Sequence, residues 1–348
     1  MDKQQWTNSD IRKLFKMEKK YKSIQTLYNA EDRGDIPKAT RVQRGKVSTR
    51  VWSLEQIPEI GKKFGFLPVS CKQHRISKFV PKGGVAKTST SYNEAKTFAL
   101  NGHRVLIIGL DSELSITDIV APHAEPTRLD DIKPSLGLYH FFCENAPLAD
   151  IIQPTSLPTL DIIPETHDLA LLEKWIDRQK RREYIFRDKL LPNLQDYDIV
   201  IFDNCPYWNH LVTNSIVCSE TLLVPLGCNL LAFNSSSSNI QNIFDFQDEM
   251  NLHSQNIIMF STMLERSSLS QQINATYLNR YSEYIVTTPI RKSVKWEEAL
   301  MKQQTILEYA PTTPFADDYY DVICDIWRRI TKEENIQSSE SFPVLEEA

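Results

Sequence analysis

Two patterns of hydrophobic and polar positions divide the chain. Up to about residue 70, apolar residues recur at helical spacing in short stretches separated by polar turns. From about residue 75, continuous apolar runs such as RVLIIGLD and YDIVIFD alternate with helical patterns. Continuous apolar strands are typical of a parallel sheet covered on both faces. The sequence therefore predicts an α/β domain, with a mostly parallel sheet flanked by helices, after a small helical module.

The predicted boundaries follow these patterns: a module of residues 1–70, a linker of 71–75, the α/β domain of 76–332, and a disordered polar tail of 333–348. In the module we predict a helix capped near Ser9, a second helix from Ser23 to Gly34, a basic ribbon and a third helix capped by Ser53. Two helices, a ribbon and a further helix are the elements of a small winged helix-turn-helix domain.

Six strands are predicted in the α/β domain, in RISKFV, RVLIIGLD, LDIIPE, YDIVIFD, ETLLVPLG and NIIMFSTML. Each is followed by a helix-like stretch, as a doubly covered sheet requires. The first helix should cover residues 87–103 and be closed by Gly102, and the last should cover about 315–332.

Composition and charge narrow the class of protein. No apolar run approaches the roughly 18 residues of a membrane span, and the polar first ten residues lack a signal core. The six cysteines are scattered without a C-x-x-C pair, which favours buried reduced thiols and a cytoplasmic protein. Residues 1–75 hold 17 Lys and Arg against 8 Asp and Glu, whereas the remainder holds 23 against 37. A basic segment of this kind favours contact with nucleic acid, with a solvated basic face as the alternative.

The stretch FVPKGGVAKTSTS, residues 79–91, carries a candidate phosphate-binding loop, because it follows a predicted strand and opens a predicted helix. Gly83 and Gly84 would let backbone N–H groups approach phosphate oxygens. Lys87 is placed to reach the β- and γ-phosphates, and the Thr88 hydroxyl to bind Mg²⁺. The glycines of the common Walker spacing are absent, and a chance glycine pair before a helix is the alternative.

Two acidic residues end predicted buried strands, Asp111 after RVLIIGL and Asp203 after YDIVIF. The carboxyl ends of parallel strands form the edge at which α/β sheets bind ligands. A fixed carboxylate at this edge suits Mg²⁺ or its bound waters. Either residue alone could be an ordinary strand end, but with the loop they predict a Mg²⁺–nucleotide site.

These motifs resemble a known family. KGGVAKTS is similar to the deviant Walker motif K-G-G-x-x-K-[ST] of the ParA/MinD ATPases. The likeness continues through Asn93, LIIGLDSE, DIVIFDNCP, TNSIVCSETLLVPL and PIRKSVKWEEA, and covers about residues 75–332. It implies ATP and Mg²⁺ as ligands, with an ATP-binding loop of Lys82, Gly83, Gly84, Val85, Ala86, Lys87, Thr88 and Ser89.

The resemblance also implies catalytic roles. Lys82 would reach across a homodimer to the partner's nucleotide, and Lys87 would bind phosphate. Asp111 would position the attacking water, while Thr88 and Asp203 would hold the metal. Phosphoryl transfer to water then depends on positioning and charge neutralisation.

The sequence departs from the family pattern beside Asp111. Gly109 stands where the family's L-I-D-x-D-P-Q block has its first acid, and Ser112 and Glu113 replace its Pro–Gln pair. Cys205 replaces the first proline of V-I-I-D-x-P-P. These departures concern the rate of hydrolysis and the geometry of the switch segment, which is the part of the chain around Asp111.

The module carries the candidate DNA contacts. Its residues 31–45 resemble the E-x-x-G-x-I-P and R-x-x-x-G segments of a MerR-type winged helix-turn-helix. That resemblance implies DNA binding without the sensing domain, and a basic hairpin on a structural domain is the alternative. The predicted contacts in the second helix and ribbon are Gln25, Thr26, Tyr28, Arg41, Arg44, Lys46 and Arg50.

Together the resemblances imply a nucleoid-associated ATPase for plasmid or chromosome partition. ATP would drive dimerisation and non-specific DNA binding, a ParB-like centromere-binding partner would stimulate hydrolysis, and the module would repress its own operon. Candidate non-specific contacts are Arg291, Lys292 and Lys295, with Arg280, Arg328 and Arg329 as further basic residues; an ordinary solvated charge is the alternative for each of them. The alternative is a DNA-binding regulator that uses the ATPase core only as a dimer switch. The acidic C-terminus does not suit a membrane-surface helix.

Overall fold

The computed structural model describes residues 5–44, 47–120 and 135–332, without placing the side chains of Arg44 and Val47. Lys46 and the predicted polar tail of 333–348 lie outside the described residues. None of the helices in these ranges combines the length and apolar content that a membrane crossing requires.

The first seventy residues fold into helices and a small antiparallel sheet. The helices are α1 (Asn8–Leu14), α2 (Thr26–Asp32) and α3 (Ile57–Phe64), with 3₁₀ turns at Met17–Lys19 and Leu54–Gln56. The strands are β1 (Gln5–Thr7), β2 (Thr40–Arg44) and β3 (Val47–Ser53), in the order β1-β3-β2. The predicted helix, helix, ribbon and helix are thus present, with β1 as an addition.

Two of the predicted helix starts are wrong. Thr7 rather than Ser9 caps α1, since the Thr7 hydroxyl accepts from the Asp10 N–H and the Asp10 carboxylate accepts from the Thr7 N–H at 2.9 Å. This reciprocal pair is a capping box. Helix α2 begins at Thr26 rather than Ser23, because Ser23 belongs to the preceding turn and its carbonyl accepts from the Thr26 hydroxyl.

The remaining residues form the predicted α/β domain. Its strands are β4 (His74–Lys78), β5 (Val105–Leu110), β6 (Gln153–Pro154), β7 (Leu160–Ile163), β8 (Ile199–Asn204), β9 (Thr221–Gly227), β10 (Asn256–Thr262) and β11 (Ile285–Val286). Its helices are α4 (Lys87–Leu100), α5 (Ser115–Val120), α6 (Leu138–Cys143), α7 (Leu148–Ile151), α8 (Leu169–Asp177), α9 (His210–Val217), α10 (Leu230–Glu249), α11 (Ser268–Arg280), α12 (Val294–Met301), α13 (Ile306–Tyr309) and α14 (Pro314–Ile330). Arg182–Tyr184 and Leu191–Asn193 form 3₁₀ turns around a π-helical turn at Phe186–Leu190.

The eight strands pair in the order β11-β10-β9-β4-β8-β5-β7-β6. All pairs are parallel except β6 with β7, so the mostly parallel sheet is confirmed. Alternate strand residues face opposite layers. Ile107 and Ile201 pack in the cluster that includes α4 and α14, whereas Leu106 and Phe202 pack with α6 and α8. Helices α10 and α11 cover the same side at β9 and β10.

The small module shares a hydrophobic core with the α/β domain. Trp6, Ile60 and Phe64 of the module belong to the same buried cluster as Phe98 of α4 and Trp327 of α14. The two segments are therefore packed layers of one body.

Hydrogen bonds reinforce this interface. The Asn101 carboxamide oxygen, at the end of α4, accepts from the N–H groups of Phe66 and Leu67 at 2.8 and 3.1 Å. Lys16 donates to the Pro311 carbonyl and forms an ion pair with Asp317 at 2.7 Å. The module is thus tied to both ends of the layer formed by α4, α13 and α14.

Gly61 tests the packing of α3 on α4. A Cβ atom there would overlap the Leu100 carbonyl oxygen and lie 2.9 Å from Asn101 Cα. Because both neighbours are backbone, we expect Gly61→Ala to lower the free energy of unfolding by about 1–3 kcal/mol, measured by urea denaturation. Gly83→Ala is the matched control, since a Cβ there meets nothing within 4 Å. Equal stability of both variants would contradict the interface.

Candidate nucleotide site

The loop between β4 and α4, residues 79–86, presents its glycines outward. A Cβ added at Gly83 or Gly84 would meet no atom within 4 Å. Gly84 and Ala86 take the left-handed backbone conformation, with φ of +71° and +62°. Glycine adopts this conformation freely, while alanine does so at a cost of about 1–2 kcal/mol. The loop thereby exposes its backbone immediately before α4.

Three side-chain hydrogen bonds hold this backbone in place. Thr262 at the end of β10 donates to the Val85 carbonyl at 3.0 Å. Thr90 in α4 donates to the Ala86 carbonyl at 2.7 Å. Lys87 Nζ donates to the Lys82 carbonyl at 2.8 Å across the loop. The strained loop is therefore preorganised by the strand and the helix on either side.

The two lysines of the loop lie in different surroundings. Lys87 is buried, and burial lowers its pKa, although the carboxylates of Asp203 and Asp111 partly offset this. Lys82 is half-buried, and no other residue that the structure describes forms a hydrogen bond or ion pair with its ammonium. Lys87 is thus directed into the site, and Lys82 is available to a group outside the chain.

Asp203 offers the metal-binding acceptor. It is fully buried at the end of β8, and its Oδ1 accepts from the Ser91 hydroxyl at 2.6 Å. Within the described ranges its buried Oδ2 has no hydrogen-bond partner. Burial raises the pKa of this carboxyl, while the hydroxyls of Ser91 and Thr88 lower it. An unpaired carboxylate oxygen beside Thr88 fits Mg²⁺ or a water of its shell.

Asp111 lies at the end of β5, next to β8 in the sheet. Its carboxylate accepts from the Glu113 N–H at 3.1 Å. Cys205 is fully buried nearby, and burial raises its pKa to about 11, so it remains a neutral thiol. The strand order therefore brings Lys87, Asp111 and Asp203 to one edge, as predicted.

A cleft of about 420 Å³ adjoins the loop, lined on one side by Gly84, Ala86 and Ser89 and on the other by the segment after β11. That segment contributes Ile290, Arg291, Lys292, Val294 and Trp296. The cleft has the size and the mixed apolar and polar lining of a small-molecule site. No sequence motif indicated this cleft, although residues of the PIRKSVKWEEA stretch form its far wall.

The predicted DNA contacts of the α/β domain are paired with carboxylates. Arg291 forms two hydrogen bonds with Asp318, both 2.6 Å, while Lys292 pairs with Glu265 and Lys295 with Glu298, each at 2.7 Å. Among the further basic residues, Arg280 donates to Ser237, Arg328 pairs with Asp325, and Arg329 donates to the carbonyls of Tyr284 and Ile285. Their contact with DNA stays a prediction.

The predicted contacts of the module lie around α2 and the hairpin. Gln25 is exposed at the start of α2, and Arg41 is exposed on β2. Thr26 is half-buried and donates to the Ser23 carbonyl. Tyr28 and Arg50 contact each other, with the guanidinium 4.7 Å from the ring centre, and Arg50 also pairs with Glu31 at 2.7 Å. These two residues join the hairpin to the helix.

The fold and the loop define a P-loop nucleotide-binding protein. A family model described as an AAA domain, AAA_31, matches residues 74–257, more than half of the chain. The cell division protein PomZ of Myxococcus xanthus is 25% identical over 80% of this chain and 90% of its own length. The chromosome-partitioning ATPase Soj of Thermus thermophilus is 28% identical over 74% and 97%. The chain belongs to this AAA-domain family, and its relatives include partition ATPases such as Soj.

Solved structures share the fold. A complex of a Cyanothece McdA variant with ATP matches with a TM-score of 0.62 and 16% identity over 76% of this chain and 98% of its own. Cobyrinic acid a,c-diamide synthase of Mycobacterium smegmatis, with an ATP analogue and magnesium, gives 0.60 and 22% over 75% of this chain and 97% of its own. A structure described as a partition protein gives 0.62 and 16% over 92% of this chain and 93% of its own. The likeness to these structures shows that the chain has their α/β fold.

Asp203→Asn tests the metal site. Because the substitution removes the charge but keeps the shape, we expect ATP turnover to fall by more than about 100-fold. Mg²⁺ should then no longer strengthen nucleotide binding, measured by titration with and without the metal.

Asp198→Asn is the matched control, because Asp198 precedes β8 at the opposite edge and its carboxylate accepts from the Arg104 N–H. If Mg²⁺ strengthens nucleotide binding in Asp203→Asn as much as in the wild type, Asp203 is not a metal ligand.

Proposed function

We propose that the protein is a ParA-like ATPase of plasmid or chromosome partition that dimerises with ATP and then binds DNA without sequence preference. The observation that supports this proposal is that the two lysines of the loop differ in their bonding partners. Lys87 bonds to the loop itself, whereas no described residue pairs with the Lys82 ammonium. A cation beside a phosphate-binding loop, free of intrachain partners, is suited to the phosphates of a second chain's nucleotide.

In this proposal the residues of each chain act by positioning. Lys87 and the backbone of residues 82–89 bind the phosphates, and the cleft beside Trp296 takes the remainder of the nucleotide. Thr88 and Asp203 hold Mg²⁺, which when bound neutralises phosphate charge. Asp111 orients the attacking water, and the buried edge keeps bulk water away from it.

The variant Lys82→Ala tests whether Lys82 binds the nucleotide of a second chain. We expect the wild-type chain to change from monomer to dimer with ATP in light scattering, and Lys82→Ala to stay monomeric while its ATP affinity changes less than about threefold. The exposed Lys72→Ala serves as the control and should dimerise normally. Dimerisation of Lys82→Ala at wild-type ATP concentrations would rule out this role.

The small module would supply operator binding and autorepression. The match to the solved partition protein leaves only 8% of this chain uncovered, less than the share of residues 1–70, and so extends into the module. Exposed Gln25 and Arg41 lie on the helix and hairpin that a winged helix-turn-helix would present to a groove and to phosphates. A ParB-like centromere-binding protein would stimulate hydrolysis and DNA release. In this proposal the protein is cytoplasmic and associated with the nucleoid.

DNA binding by the full chain is the direct test. With ATP we expect salt-sensitive binding to random duplex DNA, with a log–log slope of about −4 or steeper, as several phosphate contacts require. ADP or Lys87→Ala should abolish the ATP-dependent part, and Gln25→Ala with Arg41→Ala should reduce the part that needs no nucleotide. Fluorescence anisotropy over a salt series measures both.

Turnover separates the alternatives. DNA-stimulated ATP hydrolysis that is lost in Asp111→Ala supports partition, whereas ATP-dependent dimerisation without any hydrolysis favours the regulator with a nucleotide-controlled dimer switch.

A further inference from the structure

A carboxylate fills the space beside Gly109, the position where the family pattern has an acid. Glu165 follows β7, and β7 pairs with β5. A Cβ atom on Gly109 would overlap Glu165 Cγ and would lie 2.7 Å from Glu165 Cδ and Ile116 Cγ2. The buried glutamate therefore fits only because position 109 is a glycine.

The two oxygens of Glu165 hold opposite ends of the turn that follows β5. Oε1 accepts from the Asp111 N–H at 3.3 Å. Oε2 accepts from the N–H groups of Ile116 and Thr117 at 3.1 and 3.2 Å and from the Thr117 hydroxyl at 3.3 Å. In return, the Glu165 N–H donates to the Thr117 hydroxyl at 2.8 Å. One side chain thus closes the whole segment 111–117.

The segment 111–117 needs contacts from outside the turn to keep its conformation. Leu114 takes a left-handed conformation, with φ of +59°, which a branched residue adopts only when its surroundings enforce it. The turn itself contributes two hydrogen bonds to Asp111, from the Glu113 and Leu114 N–H groups. Glu165 adds five more to the segment from outside the turn, one of them with the Asp111 N–H, and so fixes the backbone that carries the Asp111 carboxylate.

We propose that Glu165 is the positioning residue for Asp111, and that it supplies from the neighbouring strand the carboxylate that the family pattern carries at position 109. This rests on the proposed role of Asp111 in orienting water. Among the described residues, the hydrogen bonds of Glu165 reach the segment 111–117 and not the phosphate loop, so they act on the reaction through that segment.

The electrostatics of the edge agree with this placement. Burial and the charge of Asp203 raise the pKa of Glu165 to about 8, although the N–H groups of Thr117 and Asp111 act in the opposite direction. A carboxyl with a raised pKa adds less negative charge near Asp111 and Asp203 at neutral pH than an ordinary glutamate would.

Steady-state kinetics of the full chain test the role. In Glu165→Ala we expect kcat to fall about tenfold or more while the nucleotide Kd changes less than about threefold, because the phosphate loop is untouched. Glu165→Gln keeps one acceptor oxygen, so its kcat should lie between those of the wild type and Glu165→Ala. The exposed Glu144→Ala is the control and should retain wild-type kinetics.

A double-mutant cycle with Asp111 distinguishes positioning from general stability. If Glu165 acts through Asp111, Glu165→Ala should lower kcat in the wild-type background but leave unchanged the basal kcat, without DNA, that remains in Asp111→Ala. A purely structural role would lower it equally in both backgrounds and would overturn the proposal.

The exchange between positions 109 and 165 has its own test. Gly109→Asp with Glu165→Ala should recover at least about threefold of the lost kcat relative to Gly109→Ala with Glu165→Ala. The two double variants have the same added Cβ and the same strain against Ile116, so only the carboxylate differs. Equal kcat in both would refute the exchange.

Hydrogen exchange separates this inference from the proposed function. The amides of Asp111, Ile116 and Thr117 should exchange faster in Glu165→Ala than in the wild type, whether or not the protein hydrolyses ATP. Unchanged protection at these amides would disprove the hold by Glu165, whereas a wild-type chain without turnover would disprove only the catalytic proposal.

Discussion

Helix α4 is enclosed along its length, and the positions of the phosphate loop and of the small module depend on that enclosure. Twelve of its fourteen residues are buried between the sheet and the layer formed by the module, α13 and α14. Polar groups in such a place must be paired, because an unpaired buried charge is costly. Accordingly Glu94 pairs with Lys78 of β4 at 2.6 Å, and Lys96 with Glu308 at 3.4 Å. These pairs fix the helix that begins at the phosphate loop.

The same burial shapes the chemistry at the sheet edge. It raises the pKa values of Asp203 and Glu165 and lowers that of Lys87. Both effects have one cause, the loss of hydration of the charged form. A polyanion and a divalent cation should bind at this edge more favourably together than separately. The cation neutralises the carboxylates, and the polyanion neutralises the lysine. The ligand pair is therefore favoured over either ligand alone.

Local signals in the sequence predicted the strands, the loop and the two strand-end acids, because apolar runs and a glycine pair are features of neighbouring residues. The sequence did not reveal β1, β6 or β11, which are too short to show a period. Glu165 was part of a predicted strand, and its partnership with Gly109 exists only once β5 and β7 lie side by side. Likewise, nothing near Gly61 or Asn101 indicates that α3 packs on α4, since those contacts join distant parts of the chain.

The packing of the module on the α/β domain has a geometric consequence for any dimer of this chain. Helix α4 is about 21 Å long, with the phosphate loop at one end and the Asn101 bonds to the module at the other. A module on a flexible tether could adjust to DNA half-sites at many separations. Here, two chains joined at their phosphate loops would carry their modules at one fixed distance and angle. The spacing of half-sites along a duplex would thus be dictated by protein pairing, and a site with a few base pairs inserted would meet only one module at a time.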